Sequence, residues 1–448
     1  MSAHPSVEKL ATGEWSPARF RRHLRETGTP LVARVRPDEV EVTFVDEPGA
    51  DTTVTLSVVI GPRIGFNPLA PEFTPVPGTP FRTLTLRMRS DLRFSYVFTR
   101  RGPTGEGGPG PVGGQVRTGE GERVPDPFNP PPRFSECAVE RFSGASVAVL
   151  PDAEPLPWLE RAEARPAPAM DSAVLASQVL GDERRIRVSM PPGEHADDSA
   201  LPFVIHLDGT PEHSAPGVRD ALVEAGLIRP CAVVLVDQLG QRRDKELLCD
   251  PAFSRMLVEE LLPWLRHRYP LSRDPADVAL AGESFGGLCA GWTALHHPDA
   301  FGNAILQSPS CGYHPDLTWG TGAGELLRRT PVPTLIADVL AAPAAPVRVF
   351  HDVGELEASN THSRWLDHAL TAQGYDTRYR EFAGGHDYAW WRGLFADALL
   401  WCFPRKSGDS GTDTDGDSGT GGAGSTRGEG GTRGAGDSRT AGAEGSPA

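Results

Sequence analysis

The stretch Gly282-Glu283-Ser284-Phe285-Gly286 lies between the apolar run Val278-Ala279-Leu280-Ala281 and a helix-like segment at 287–295. A serine held on a sharp strand-to-helix turn has strained backbone dihedrals, so the residues around it need very small side chains. The turn lifts the hydroxyl above the sheet, and the adjacent helix N-terminus favours developing negative charge. The pattern predicts that Ser284 is a catalytic nucleophile.

The composition favours a soluble enzyme over a nucleic-acid-binding or membrane protein. With 448 residues the chain is long enough for two domains, and its net charge of −15 makes nucleic acid and anionic membranes poor partners. No run approaches the ~20 apolar residues of a membrane helix. The N-terminus lacks the apolar core of a signal peptide, and the cysteines form no C-x-x-C pair. We therefore expect a cytoplasmic protein with reduced thiols.

Residues 1–150 are predicted to form a small all-β, immunoglobulin-like sandwich that serves in substrate recognition. Strand-like runs lie at 40–45, 53–60, 84–88 and 94–98. The last two alternate apolar and polar residues, as half-buried antiparallel strands do. A Gly/Pro-rich stretch at 102–121 is typical of a flexible surface insertion.

The remaining residues divide into three parts. The segment at 151–171 is rich in Pro, Ala and Glu and is predicted to be a linker. From 172 to 404, apolar runs typical of buried parallel strands alternate with helical patterns, which predicts an α/β-hydrolase domain with a doubly wound, mostly parallel sheet. The tail at 405–448 has almost no residues that could form a core, so it is predicted to be disordered.

A catalytic serine needs a histidine base, and the base needs an acid that orients it. In α/β-hydrolases the order along the chain is Ser, then Asp or Glu, then His. Asp352 follows the strand-like run 347–350, so it should lie on the same edge of the sheet as the elbow. Asp352 is the predicted acid, with Glu355 and Glu357 as alternatives.

His386 is the predicted base. It follows Gly384 and Gly385, whose flexibility would let the backbone carry a histidine over the sheet edge. The sequence contains no H-E-x-x-H motif, and its histidines do not cluster with carboxylates at ligand spacing. We therefore predict neither a metal site nor a cofactor.

The tetrahedral intermediate of ester hydrolysis needs an oxyanion hole. One donor is predicted to be the backbone N–H of Phe285, directly after the nucleophile. The second should come from the loop after an earlier strand, where Leu207-Asp208-Gly209-Thr210 follows an apolar run. Gly209 is the predicted second donor, with Thr210 as the alternative.

Four segments carry a more specific signature, and Gly384-Gly385-His386-Asp387 followed by Trp391-Arg392-Gly393 is the most distinctive. The others are Leu207-Asp208-Gly209, Arg243-Asp244-Lys245-Glu246-Leu247-Leu248-Cys249-Asp250 and Gly282-Glu283-Ser284-Phe285-Gly286-Gly287-Leu288. Together they resemble the enterochelin (ferric enterobactin) esterase family. The front of the chain also resembles that family at 28–32, 42–44 and 126–130, so the resemblance covers about residues 15–404. Glu283 departs from it, because we would expect a neutral polar residue there.

The resemblance implies that the chain hydrolyses ester bonds of a tri-serine-lactone catecholate siderophore in the cytoplasm, which lets iron be released. Iron would then enter only as part of the substrate. Ser284, His386 and Asp352 would be the nucleophile, the base and the orienting acid.

A tris-catecholate Fe(III) complex is anionic and has large aromatic faces, which arginine and tryptophan side chains can contact. The expected substrate contacts are Arg242, Arg243, Lys245, Trp390, Trp391 and Arg392. One alternative is a serine esterase of the same fold acting on a feruloyl or carbohydrate ester. Another is a non-catalytic siderophore-binding protein, against which the complete Ser–Asp–His order counts.

Overall fold

The structure is a computed structural model that describes most of the chain between residues 4 and 405. The described ranges are 4–48, 52–58, 71–101, 121–132, 144–193, 200–210, 213–237, 242–316, 331–357 and 359–405. The predicted insertion, apart from Gly121, and the predicted tail, apart from Arg405, lie outside these ranges. None of the helices within them is long and apolar enough to cross a membrane.

The N-terminal module begins with two short helices that the all-β prediction did not include. They are α1 (Pro5–Ala11) and α2 (Pro17–Thr27). Each has proline near its start, where the missing N–H costs no helical hydrogen bond. The hydroxyl of Ser16 caps α2 by accepting from the backbone of Arg19. Phe20, on the buried side of α2, meets Phe81 edge-to-face at 5.0 Å.

Eight strands follow the two helices and form two antiparallel sheets. They are β1 (Leu31–Arg36), β2 (Glu39–Asp46), β3 (Thr53–Val58), β4 (Thr74–Pro75), β5 (Arg82–Arg89), β6 (Arg93–Arg101), β7 (Glu122–Val124) and β8 (Ser146–Val149). One sheet has the order β1-β2-β5-β4, and the other joins β3, β6 and β7, with β8 paired to β6. Both contribute to one core that contains Phe44, Phe94 and Phe98. The four predicted strand runs correspond to β2, β3, β5 and β6.

The segment at 151–171 contains a packed helix, α3 (Pro157–Glu163). Leu159 and Ala162 of this helix are buried in the same core as Trp390 and Phe395. This predicted linker is therefore partly built into the fold.

The C-terminal region is organised around an eight-stranded sheet. Its strands are β9 (Asp171–Ser177), β10 (Asp182–Ser189), β11 (Phe203–Leu207), β12 (Ala232–Val236), β13 (Val278–Glu283), β14 (Asn303–Gln307), β15 (Arg348–Gly354) and β16 (Thr377–Phe382). The order is β16-β15-β14-β13-β11-β12-β10-β9. Neighbouring strands from β16 to β12 pair parallel, whereas β10 pairs antiparallel with both β12 and β9. Every residue of β11, β12 and β14 is buried, as expected for strands covered on both faces. The predicted mostly parallel sheet is confirmed.

Helices cover both faces of this sheet. They are α4 (Ala215–Glu224), α5 (Arg243–Leu247), α6 (Pro251–Arg255), α7 (Leu262–Arg268), α8 (Phe285–His296), α9 (Thr334–Ala341), α10 (Asn360–Gln373) and α11 (Tyr388–Cys402), with a π-helical turn at Met256–Leu261 and a 3₁₀ turn at Pro275–Asp277. One core contains side chains of α6 to α10, and the opposite core contains side chains of α3, α4 and α11. The carboxyl ends of the parallel strands share one edge, where loops can bring distant residues together.

Candidate active site

Ser284 lies on the sharp turn that the sequence predicts, between β13 and α8. Its backbone has φ 57° and ψ −115°, a strained conformation for a residue with a side chain. A Cβ atom at Gly282 would lie 2.5 Å from the carbonyl carbon of Gly286, so only glycine fits there. The backbone N–H of Ser284 donates to the carbonyl of Gln307 at 2.9 Å, which fixes the turn against β14.

His386 is paired with Glu357. The Nδ1–H of His386 donates to Glu357 Oε2 at 2.8 Å, and both side chains are almost completely buried. Glu357 also accepts from the hydroxyls of Ser308 and Ser359 and from the backbone N–H of Gly354. This carboxylate has donors on both oxygens, so it can hold the imidazole in one tautomer and one orientation.

The charge on Glu357 is stabilised by its neighbours. Burial alone raises the pKa of a carboxyl group, but the attraction of His386 and the hydrogen bonds from His386, Ser308 and Gly354 outweigh that effect. The pKa of Glu357 is therefore lowered. Glu357 stays ionised and can stabilise a positive charge that develops on His386.

The choice of Asp352 as the acid is wrong, because His386 pairs with Glu357. The strand β15 runs through Gly354, so Asp352 lies inside the strand rather than in the loop after it. Asp352 instead accepts from the backbone N–H of Ser308 at 3.2 Å. Burial raises the pKa of Asp352 to about 8. Glu357, the alternative three residues beyond the strand, occupies the orienting position.

Trp391 supports the histidine and its acid from one side. Its ring meets the ring of His386 edge-on, with centroids 4.7 Å apart and an interplanar angle of 86°. Its Nε1–H donates to Ser308 Oγ at 2.8 Å, and that hydroxyl in turn donates to Glu357. Trp391 is only 2% exposed, so it positions His386 and is not a surface for a substrate ring.

Trp390 and Arg392 are also buried, which contradicts their prediction as substrate contacts. Trp390 is 0% exposed and donates through Nε1 to the carbonyl of Arg93 in β6 at 2.9 Å. Arg392 donates through Nη1 to Glu163 Oε1 of α3 at 2.8 Å. The helix α11 is apolar on all sides, and that pattern is the signal for burial that could have excluded these residues.

The N-terminal module contacts the loop of His386 directly. Asp387, the next residue, accepts from the backbone N–H and the hydroxyl of Ser95 in β6, at 2.5 and 2.7 Å. The same carboxylate caps α11 by accepting from the backbone of Ala389. Burial raises the pKa of Asp387 to about 6. The N-terminal module therefore holds the loop that presents His386.

The predicted oxyanion donors have different outcomes. Phe285 is the first residue of α8, directly after Ser284, which suits its backbone N–H to the role. The backbone N–H of Gly209, in contrast, donates to the carbonyl of Val236 at 3.0 Å. The prediction of Gly209 as the second donor is therefore wrong. The alternative, the backbone N–H of Thr210, stays a prediction.

Arg243 lies beside the elbow but is bound to a protein carboxylate. Its Nε donates to Asp208 Oδ2 at 2.9 Å, its Nη2 makes a second contact with the same oxygen, and its guanidinium lies 5.3 Å from the centroid of the Phe285 ring. Arg242 is more exposed and pairs with Asp182 at 2.7 Å, and Lys245 is exposed on α5. Arg243 thus links the loop after β11 to Phe285, the residue after Ser284.

A second group of side chains includes the residue before Ser284, and it could hold a metal ion. His206, His213 and Glu283 are all buried, and one donor atom from each lies within 4.8 Å of the others. The prediction that histidines and carboxylates do not cluster missed this group, because β11 and β13 are adjacent only in the folded sheet. A histidine in the middle of an apolar strand, as at His206, was the available signal.

The region that contains these features matches a known protein family. Residues 177–402, about half of the chain, match the family described as "Putative esterase". The chain belongs to this esterase family. The match covers the elbow, Glu357 and His386.

Two curated relatives of this chain are named as iron(III) enterobactin and iron(III) salmochelin esterases. The iron(III) enterobactin esterase of Dickeya dadantii is 31% identical over 62% of this chain and 64% of its own length. The iron(III) salmochelin esterase of Escherichia coli O6:H1 is 30% identical over 49% of this chain and 54% of its own length. The chain thus spans less than two thirds of either relative. These matches confirm the resemblance predicted from the sequence.

The fold of this chain is similar to that of a protein whose structure has been solved. The enterobactin esterase of Shigella flexneri, in the presence of 2,3-dihydroxy-N-benzoyl-serine, superimposes with a TM-score of 0.67 and 23% identity. The alignment covers 85% of this chain and 97% of the Shigella chain. The similarity therefore includes the N-terminal module as well as the eight-stranded sheet.

Proposed function

We propose that this chain is a serine esterase that hydrolyses the ester bonds of an enterobactin-like catecholate siderophore. The observation that carries the proposal is the pairing of His386 with the buried carboxylate of Glu357, on the sheet edge where Ser284 occupies a strained elbow. The names of the curated relatives support the substrate class.

In this mechanism Ser284 attacks the ester carbonyl while His386 accepts the hydroxyl proton on Nε2. The Nδ1–H of His386 stays bound to Glu357, which stabilises the imidazolium that forms. The backbone N–H of Phe285 stabilises the oxyanion, and the backbone N–H of Thr210 is the second donor. His386 then protonates the departing seryl alcohol, and water frees the acyl group from Ser284 by the reverse path.

The finer description of the fold is part of this proposal. We infer an α/β-hydrolase domain at 172–404, because the elbow, the acid and the histidine follow its parallel strands in the expected order. The two antiparallel sheets of the N-terminal module support an immunoglobulin-like sandwich. The contact of Asp387 with Ser95 supports a role for that module in holding the active-site histidine. Cytoplasmic location stays a prediction.

The two arginines that remain near the predicted pocket have different roles in this proposal. Arg243 is a positioning residue, because it is bound to Asp208 and stacks over Phe285. Arg242, whose side chain is 54% exposed, is the better candidate for attraction of an anionic ferric complex. Arg242→Ala should raise KM for the ferric complex more than for a small neutral ester.

The experiment that tests the function is chromatography of ferric and iron-free enterobactin after incubation with the full chain. Wild type should release dihydroxybenzoylserine units, and Ser284→Ala should release none. Ser310→Ala is the matched control, because the Oγ of Ser310 lies 3.4 Å from that of Ser284. Retained cleavage by Ser284→Ala would show that Ser284 is not the nucleophile. Cleavage of a feruloyl ester without cleavage of enterobactin would overturn the substrate class.

A further inference from the structure

Three buried side chains with metal-binding atoms surround the inner side of the nucleophile elbow. His206 is the second-last residue of β11, His213 precedes α4, and Glu283 is the last residue of β13, directly before Ser284. They are 0%, 5% and 7% exposed. The esterase mechanism uses none of them, and a buried carboxylate with two imidazoles needs a physical explanation.

The distances in this cluster are too long for good hydrogen bonds but suit a shared ion. Glu283 Oε1 lies 3.4 Å from His206 Nε2 and 3.4 Å from His213 Nε2. Among the described residues, neither Nε2 atom has a partner at hydrogen-bonding distance and angle. Zn²⁺ binds nitrogen and oxygen at about 2.0–2.2 Å, so neighbouring ligands of a tetrahedral ion are about 3.3–3.5 Å apart.

The protonation of His206 suits a ligand. Its Nδ1–H donates to the carbonyl of Leu207 at 2.8 Å, so in the neutral ring the lone pair lies on Nε2, facing Glu283. A backbone carbonyl that holds the second ring nitrogen is the usual outer partner of a metal-bound histidine.

The protonation of His213 requires one adjustment. Its Nδ1 accepts from the backbone N–H of Ala215 at 3.1 Å, so its neutral ring carries the proton on Nε2. That proton must move to Nδ1, and the contact with Ala215 must break, before His213 can bind an ion through Nε2. His206 and Glu283 are therefore the preformed pair, and His213 is the ligand that adjusts.

We propose that His206, His213 and Glu283 form a binding site for a divalent transition-metal ion such as Zn²⁺ or Fe²⁺. Two imidazoles and one carboxylate suit these ions, whereas Mg²⁺ and Ca²⁺ prefer all-oxygen sites. The ion has a structural role, because it joins the end of β11, the start of α4 and the residue before Ser284. It thereby braces the elbow.

The test is a titration of the chelator-treated full chain with Co²⁺, followed by competition with Zn²⁺ and, without oxygen, with Fe²⁺. We expect one equivalent of Co²⁺ to give visible d–d absorption typical of four or five ligands. Zn²⁺ should abolish this absorption, and Fe²⁺ should do so only in excess, because Fe²⁺ binds such ligands more weakly than Co²⁺. Zn²⁺ should also raise the Tm of wild type by mass action. Because the readout is metal binding, a failure of the esterase assay leaves this test unaffected.

The variants separate this site from other histidines. Glu283→Gln keeps the size of the side chain but removes its charge, so Co²⁺ affinity should fall at least about tenfold. His296→Gln is the control, because His296 lies 3.7 Å from Asp338 on the surface and should not matter. If Glu283→Gln does not fold by circular dichroism, His213→Asn replaces it. Absence of Co²⁺ absorption in wild type, or equal affinity in the folded site variant, would overturn the proposal.

Discussion

The site contains two groups of histidine and glutamate, which differ in how completely they are paired. In one, Glu357 holds His386 at 2.8 Å and has a hydrogen-bond donor on each oxygen. In the other, Glu283 lies 3.4 Å from two imidazoles and holds neither closely. In the first group, the carboxylate fixes the orientation of the imidazole, so His386 can accept or donate a proton at a fixed position. The second leaves space for an ion among its donors.

The largest effect is expected from a substitution in the His386–Glu357 pair. Glu357→Gln keeps the shape of the side chain but removes the negative charge and favours the wrong tautomer of His386, so kcat should fall about 10³- to 10⁴-fold. Glu283→Gln should cost much less, because Glu283 contacts His206 and His213 rather than the base. Steady-state kinetics on a soluble ester measures both. Equal losses would show that the two groups are not distinct in function.

Asp352→Asn is the second control for this prediction. Asparagine can still accept from the backbone N–H of Ser308, so kcat should fall less than about tenfold. A loss as large as that of Glu357→Gln would restore Asp352 as the acid and reject the pairing seen here.

Two adjacent tryptophans give the next prediction. Trp391→Phe keeps a ring beside His386 but loses the donor to Ser308, so kcat should fall about tenfold while the protein stays folded. Trp390→Phe loses the donor to the carbonyl of Arg93, so it should lower the unfolding free energy by about 1 kcal/mol with a smaller change in kcat. Kinetics and denaturant unfolding separate the two. Identical profiles would mean that Trp391 only fills the core.

The N-terminal module should help to position His386 through the contact of Ser95 with Asp387. Ser95→Ala removes the hydroxyl that donates to Asp387 but leaves the backbone donor, so we expect a loss of about 1 kcal/mol in unfolding free energy and a severalfold lower kcat. If Ser95→Ala changed neither quantity, the contact between the module and the loop of His386 would have no role.

The sequence could predict the parts of the site that depend on local geometry. The glycines around Ser284 and before His386 are needed within a few residues of the functional side chain, so a short window contains the signal. Asp352 was preferred to the alternative Glu357 because the place of the acid depends on where β15 ends, and the strand continues to Gly354 rather than stopping at Phe350. Strand ends are set by pairing with neighbouring strands, which a single sequence does not show.

Other errors have the same origin in tertiary pairing. Gly209 looked suitable as an oxyanion donor, but its N–H is used by the carbonyl of Val236, which β12 places opposite it. His206 and Glu283 are 77 positions apart and meet only because β11 and β13 are neighbours in the sheet. Burial of α11 was predictable from its apolar sides, whereas the contact of Asp387 with the N-terminal module was not.

Stability rather than kcat should respond to pH at Asp352, the carboxyl group that the sequence predicts as the acid. Burial outweighs the attraction of Arg380 and raises the pKa of Asp352 to about 8 in the folded protein, against about 4 in an unfolded chain. The folded state therefore binds a proton that the unfolded state has lost. The stability that this proton contributes is fully present below about pH 4 and is lost as the pH rises towards 8.

Asp352→Asn removes this titration, because asparagine stays neutral at every pH. Relative to wild type, the variant should gain roughly 3–4 kcal/mol in unfolding free energy as the pH rises from 5 to 8, because each pH unit between the two pKa values is worth about 1.4 kcal/mol. Asp387 also titrates in this range, since its pKa is raised to about 6, but it is present in both proteins and cancels in the difference. Thermal unfolding of the two proteins at several pH values measures that difference. A difference that does not change with pH would mean that Asp352 titrates in the folded protein as it does in the unfolded chain, and that burial does not hold it protonated.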